Sequence, residues 1–193
     1  TACPTNAGTG LRASVMMHLS ALVLTRQISR IMNAATQLGL AVRGLYGEGT
    51  EATGNIFQIS NQVTLGHSES EIIGNLQDIA RQIVEQERAA RQALLAGSEL
   101  ALADRVWRSY GVLRYARTIS GQEALTMLSE VRLGIDLKII TGVPAEVFNE
   151  LLVTSRPNFL QKVAGRDEID PAERDRLRAQ LIREKIKEGR TND

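Results

Sequence analysis

The sequence predicts an α+β chain, on three observations. Before residue 66, strand-like apolar runs are broken by glycine-rich turns and a single helical repeat. After Ser68, the apolar residues recur only at helical spacing, and two Ser-x-x-Glu capping boxes, Ser68 with Glu71 and Ser120 with Glu123, open helices there. Strands gathered in one half and helices in the other are the pattern of an α+β architecture rather than of an alternating parallel fold.

The bounds are set by length and charge. The 193 residues suffice for one sizeable core, or for a domain with an appendage. Lys and Arg number 23 against 22 Asp and Glu, a net +1, which argues against a general nucleic-acid or membrane-surface binder. No apolar run approaches the ~20 residues of a membrane span, so a cytoplasmic protein is expected. The single cysteine, Cys3, has no partner for an internal disulfide and fits a reducing compartment. The chain opens on Thr1, inside what reads as a motif, and is expected to be the C-terminal part of something longer.

Taken in order, CPTNAGTGLR (3–12) is a loop, and Leu11 to Leu19 is apolar enough for a buried strand. Cys3, with Thr5 and Asn6 nearby, is either a small buried hydrophobe or a thiolate held by hydrogen bonds, with Arg12 adding positive potential. Ile28, Ile31, Ala35 and Leu38 predict an amphipathic helix over Leu24–Leu38, stopped by Gly39. Leu40–Val42 and Asn55–Asn61 are strands flanking a loop with Gly44, Gly47, Gly49 and Gly54. Such a loop can close on a ligand, with Arg43 as a phosphate clamp and Glu48 as a fork for a guanidinium. A polar surface hairpin carrying an ion pair is the other reading.

The helix from Ser68 to Gly97 carries Ile72, Leu76, Ile79 and Ile83 on one stripe, with Glu85, Glu87, Arg88 and Arg91 assigned to a solvated, salt-bridging face. A domain boundary is placed near Gly97, giving domains 1–97 and 98–193. Beyond it, Leu100–Arg117 presents Val106, Trp107, Tyr110 and Leu113, with the tryptophan read as core. A helix from Ser120 stops at Gly134, Pro144 opens another through Leu152, and Asn158–Val163 is a further one. Asp170 caps the last helix, with Pro171 in its first turn and Glu173 at its third position. On that helix Arg174 and Arg178 stand one turn apart, so their guanidinium groups could converge on a phosphate, with Asp175 accepting from a guanidinium. A salt-bridged surface is the simpler alternative.

The order Arg43-Gly-x-x-Gly-Glu48, then Thr50-Glu-Ala, then Ile56-Phe-x-Ile-Ser-Asn61 resembles the ATP:guanido phosphotransferases, or phosphagen kinases. So does the Cys-Pro-x-Asn-x-Gly-Thr-Gly-x-Arg segment at 3–12. The wording RGLYGEG and GNIFQISNQVTLG is more like the family's bacterial protein-arginine kinases than its kinases of free arginine or creatine. The resemblance implies an antiparallel sheet with packed helices, of the guanido kinase and glutamine synthetase-like type, followed by an all-helical C-terminal region. It implies transfer of the ATP γ-phosphate to arginine side chains of proteins, marking them for degradation or regulation, with ATP and Mg2+ as cofactors. It assigns substrate contacts to the catalytic residues Glu48 and Cys3, nucleotide phosphates to Arg12 and Arg43, and a regulatory phosphoarginine pocket to Arg174, Asp175 and Arg178 (Arg-Asp-x-x-Arg-Ala). No protein-held metal site is implied. Arginine-bearing protein substrates, a Clp-type unfoldase or protease, an activator protein and a homo-oligomer are the partners implied, and neither nucleic acid nor membrane is among them.

Two positions depart from the family pattern: Met16 stands where a histidine near the nucleotide base is usual, and Gln58 where many members carry aspartate. The family's second catalytic glutamate, in an Asn-Glu-Glu-Asp type motif, has no counterpart in these residues. Two alternatives stay open, a free-arginine kinase and a non-catalytic phosphoarginine-binding module.

Overall fold

The computed structural model describes residues 8–44, 52–166 and 168–189. The chain divides into two compact units, 1–96 and 97–193.

In the first unit, β1 (Ser14–His18), β2 (Leu40–Gly44) and β3 (Ile56–Asn61) form an antiparallel sheet in the order β1-β3-β2. Its register aligns Val15 with Ile59 and Val42, and Met16 with Gln58 and Arg43. Alternation then sends Met17, Phe57 and Ile59 into a core shared with Leu22, Ile31, Met32, Leu76 and Ile83. The strand predicted over Leu11–Leu19 forms but is shorter, Ser14–His18. Its end turns into an unforeseen helix, α1 (Ser20–Leu24).

The helix predicted over Leu24–Leu38 begins later, as α2 (Ile28–Gln37). Arg26, at φ 58°, takes the left-handed conformation and separates the two helices. Leu38 lies past the last turn and is 63% exposed, so the buried stripe is Ile31, Met32 and Ala35. A three-residue 3-10 turn, Thr53–Asn55, leads into β3 with Gly54 at φ 72°.

The capping box at Ser68 forms: the Ser68 N–H donates to Glu71 Oε2 at 2.7 Å, and the Glu71 N–H donates to Ser68 Oγ at 3.3 Å. It opens α3 (Glu69–Tyr115), whose helical geometry breaks at Ser98 (φ −154°, ψ 35°), directly after the stop that the sequence places at Gly97, before a second helical stretch follows. Glu87 overturns its assignment to a solvated face. It lies 4% exposed on the continuing stripe Leu76, Ile83, Ala90, and its carboxylate accepts the N–H groups of Ala21 (3.0 Å) and Leu22 (2.9 Å). Arg91 Nε adds a third bond at 2.8 Å. Leu19, at the N-cap of α1, offers no side-chain acceptor, so Glu87 supplies one from a different helix, where the α1 dipole favours its charge. Glu85 and Arg88 do form the exposed ion pair expected of that face.

In the second unit, α3 buries Leu102, Val106, Tyr110 and Leu113, at steps of four, four and three. Trp107 falls off this stripe: it is 46% exposed rather than core and meets Tyr110 edge to face, with centroids 5.6 Å apart. Next come α4 (Gly121–Asp136), α5 (Ala145–Thr154), α6 (Pro157–Ala164) and α7 (Pro171–Glu188). Gly134 does not end α4. A Cβ there would lie 2.2 Å from Val106 Cγ1, so the glycine permits α4 to press against α3. Asp170 Oδ2 accepts from Ala172 and Glu173, capping α7 as its sequence predicts. No helix among the described residues is long and apolar enough to cross a membrane.

Candidate functional site

In the first unit, the candidate site is the sheet face opposite the core. From Arg12 through Ser14 to Met16 every second side chain is exposed, while Met17 is buried. Met16, Gln58 and Arg43 are direct cross-strand neighbours and form one row on that face. With strands ~4.8 Å apart, the row spans ~10 Å from β1 to β2. The flanking middle-strand residues Ser60 and Ile56 are buried, at 2% and 8%, which leaves the Met16–Gln58–Arg43 row as the open part.

Neither Arg12 nor Arg43 has a side-chain hydrogen bond or ion pair among the described residues, and both are exposed. By contrast, Arg81, Arg88 and Arg108 on α3 are each neutralised by a carboxylate one turn away. Two guanidinium groups without a carboxylate among the described residues, one on β2 and one on the segment entering β1, suit an anionic ligand.

A residue that sequence reasoning missed holds Arg12 in place. Asn61 is 7% exposed. Its Oδ1 accepts the Ala13 N–H at 2.9 Å and its Nδ2 donates to the Leu11 carbonyl at 2.9 Å, so one amide grips the backbone on both sides of Arg12. The signal available was a polar side chain ending an apolar strand, where a buried amide must find partners.

Cys3 and Glu48, the proposed substrate contacts, lie outside the described residues. Among the described residues, no three His, Cys, Asp or Glu side chains converge as a metal site.

In the second unit, the Arg-Asp-x-x-Arg segment occupies the first turns of α7. Arg178 is not a solvated clamp. It is 2% exposed, and its guanidinium donates from Nε to the Ser155 carbonyl (2.8 Å), and from Nη1 to the Ile119 carbonyl (2.8 Å) and Asp175 Oδ1 (2.5 Å). The Ile119 N–H in turn donates to the Asp175 carbonyl at 3.2 Å, and Arg183 donates to the Ala116 carbonyl. The loop between α3 and α4 is thus bound to α7 at three points. Arg174, half-buried, has no side-chain partner among the described residues. Asp175 keeps a side-chain exposure of 34%.

Comparison with known proteins yields two family matches. Residues 1–90 match the ATP:guanido phosphotransferase C-terminal catalytic domain, and residues 99–193 match the protein-arginine kinase McsB C-terminal domain. The chain is 61% identical over 187 residues to a protein-arginine kinase of Brevibacillus brevis, covering 97% of this chain and 52% of that protein. It is 59% identical over 186 residues to protein-arginine kinases of Desulforamulus reducens and Bacillus subtilis, covering 96% of this chain and 52% and 51% of theirs. The chain therefore spans about half the length of these relatives. Two consecutive matches, together taking in the sheet with its open arginines and the helical unit with its Arg-Asp-x-x-Arg segment, lead to one conclusion: the chain belongs to the ATP:guanido phosphotransferase family, and within it resembles the C-terminal portion of the protein-arginine kinases.

Proposed function

We propose that this chain is the C-terminal portion of an enzyme that transfers the γ-phosphoryl group of ATP to arginine side chains of proteins. The observation that carries the reading is the pairing of a guanido-kinase catalytic match with a second match to a domain named for protein-arginine kinase. Arg43 on β2 and Arg12 just before β1, exposed and unpaired among the described residues, give it a physical basis.

Phosphoryl transfer needs positioning and neutralisation of phosphate charge more than covalent help. Arg12 and Arg43 would neutralise the triphosphate, with Asn61 fixing the backbone that carries Arg12. Mg2+ would arrive on the phosphates, as it does where substrate oxygens and water supply most of its ligands. A fully protonated guanidinium is a poor nucleophile, so a carboxylate must orient it and take a proton as nitrogen attacks phosphorus; Glu48 has that role and Cys3 orients the same group. Arg174, Asp175 and Arg178 would bind phosphoarginine as a regulatory ligand.

The surrounding biology is proposed with it: a cytoplasmic homo-oligomer acting in protein quality control and stress response. Its substrates would be arginine-bearing proteins passed to a Clp-type unfoldase or protease, under an activator protein.

The test uses the full-length protein with labelled ATP and either free arginine or an arginine-bearing protein. Acid-labile label on protein supports the reading. Label on free arginine alone would make it a metabolite kinase, and label on neither would leave a phosphoarginine-binding module.

A further inference from the structure

Gly8 and Gly10 form a matched pair in the segment that enters β1. Both are exposed, and both take the left-handed backbone, at φ 76° and φ 66°. Their surroundings differ. A Cβ on Gly10 would meet nothing within 4 Å, whereas a Cβ on Gly8 would stand 2.6 Å from the Thr64 carbonyl oxygen, 2.9 Å from the carbon of that carbonyl and 2.8 Å from Leu65 Cα. The backbone at Gly8 therefore lies directly against the connector between β3 and α3, at a distance that only hydrogen on Cα admits.

That connector is itself held from several sides. Thr64 is fully buried, and its carbonyl accepts the His67 N–H at 3.4 Å in the turn that leads to the Ser68 cap of α3. Gln62 donates its N–H to the Gly39 carbonyl at 3.2 Å, which ties the connector to the start of β2. Asn61, at the end of β3, adds a main-chain bond to its two amide bonds: its N–H donates to the Ala13 carbonyl at 3.3 Å. Segment 8–13 is thus laid along 61–65 and fixed at both ends, by hydrogen bonds at Leu11 and Ala13 and by close packing at Gly8. Arg12 stands between the two fastenings.

We infer that Gly8 is a positioning residue for nucleotide binding: by lacking a side chain it lets segment 8–13 settle on the Thr64 carbonyl, and this sets where Arg12 meets a phosphate. The inference rests on the phosphoryl-transfer reading proposed above, in which Arg12 neutralises the triphosphate. Real Cβ atoms stay at least 3.0 Å from such neighbours, so a side chain at residue 8 must lift the backbone by no less than the 0.4 Å that separates 2.6 Å from that limit. The neighbours are main-chain atoms, so no rotamer change relieves the collision. A misplacement of about 1 Å in a site of this kind costs about 10²-fold, so a shift of roughly half that size should cost about tenfold at Arg12. Gly10 carries the same left-handed backbone without the collision, which separates the two causes.

The experiment compares Gly8→Ala with Gly10→Ala in the full-length enzyme. KM for ATP should rise about tenfold in Gly8→Ala, with a smaller change in kcat, and stay within about twofold of the parent value in Gly10→Ala. A loss of folded protein alone would lower the apparent kcat and leave KM where it was. Where Gly8→Ala does not fold, the unsubstituted enzyme decides: ATP should slow hydrogen exchange at the Ala13 N–H, which Asn61 holds, and at the His67 N–H, which reports on the Thr64 carbonyl. Equal KM values in the two variants, or ATP protection that does not reach His67, overturns the positioning role while leaving the kinase reading intact. Failure of the unsubstituted enzyme to label protein from ATP overturns both.

Discussion

At the residue scale, three polar side chains decide more than their surroundings suggest. Asn61 was not legible as functional, because its partners Leu11 and Ala13 lie about fifty residues earlier and only the sheet brings them together. In the full-length enzyme, Asn61→Ala should raise KM for ATP several-fold with a smaller change in kcat, since it loosens Arg12 without touching the reacting atoms. An unchanged KM would remove Asn61 from the site. Glu48→Gln should lower kcat by about 10²-fold if that carboxylate orients or deprotonates the attacking nitrogen, and near-normal turnover would eliminate it. Glu87 was legible in principle, since it sits four residues after Ile83 and three before Ala90, on the apolar stripe itself. Charge alone put it on the wrong face. Glu87→Ala leaves two buried N–H groups and Arg91 without their acceptor, and should cost ~3 kcal/mol in denaturant unfolding.

Elements were read well where the local chain decides them. The Ser68–Glu71 box, the Ser120 cap and the Asp170–Pro171 start form because a cap needs only residues three apart, although at Ser120 the hydroxyl accepts from Glu123 without the reciprocal carboxylate bond. Glu71 is held below the ordinary carboxylate range, first by the Ser68 backbone N–H and then by the Ser68 hydroxyl. A carboxyl whose folded value is depressed stabilises above its unfolded value, near pH ~4.3, and that contribution is lost as pH falls through the folded value. The Ser68 amide resonance should therefore titrate below that pH and cease to do so in Glu71→Gln; identical curves would deny the cap its role. A helix end set by packing was misread. Gly97 is followed at once by the break at Ser98, but Gly134 only looks like a stop: α4 runs on to Asp136, with Gly134 retained to admit Val106. Gly134→Ala should destabilise by ~1–3 kcal/mol through overpacking, and Val106→Ala in the same chain should relieve part of that cost; additive losses would place the strain elsewhere.

For the whole molecule, the α+β class was legible because strand and helix periodicities are segregated along the chain, whereas the strand order β1-β3-β2 depends on pairings between residues far apart in sequence. The compact units meet at residues 96 and 97, and the two family matches leave only residues 91–98 between them. The chain by itself should show no ATP-dependent phosphorylation of arginine, whereas the full-length protein should, because the second catalytic glutamate is not among these residues. Turnover by the isolated chain would refute that. What the sequence could not disclose was the environment of Arg178, whose carbonyl partners stand 23 and 59 residues away. That environment bears on inheritance. A side chain on which an interior closes cannot be exchanged freely, so a genetic screen that selects only for soluble protein should recover changes at the exposed Arg176 and few at the buried Arg178.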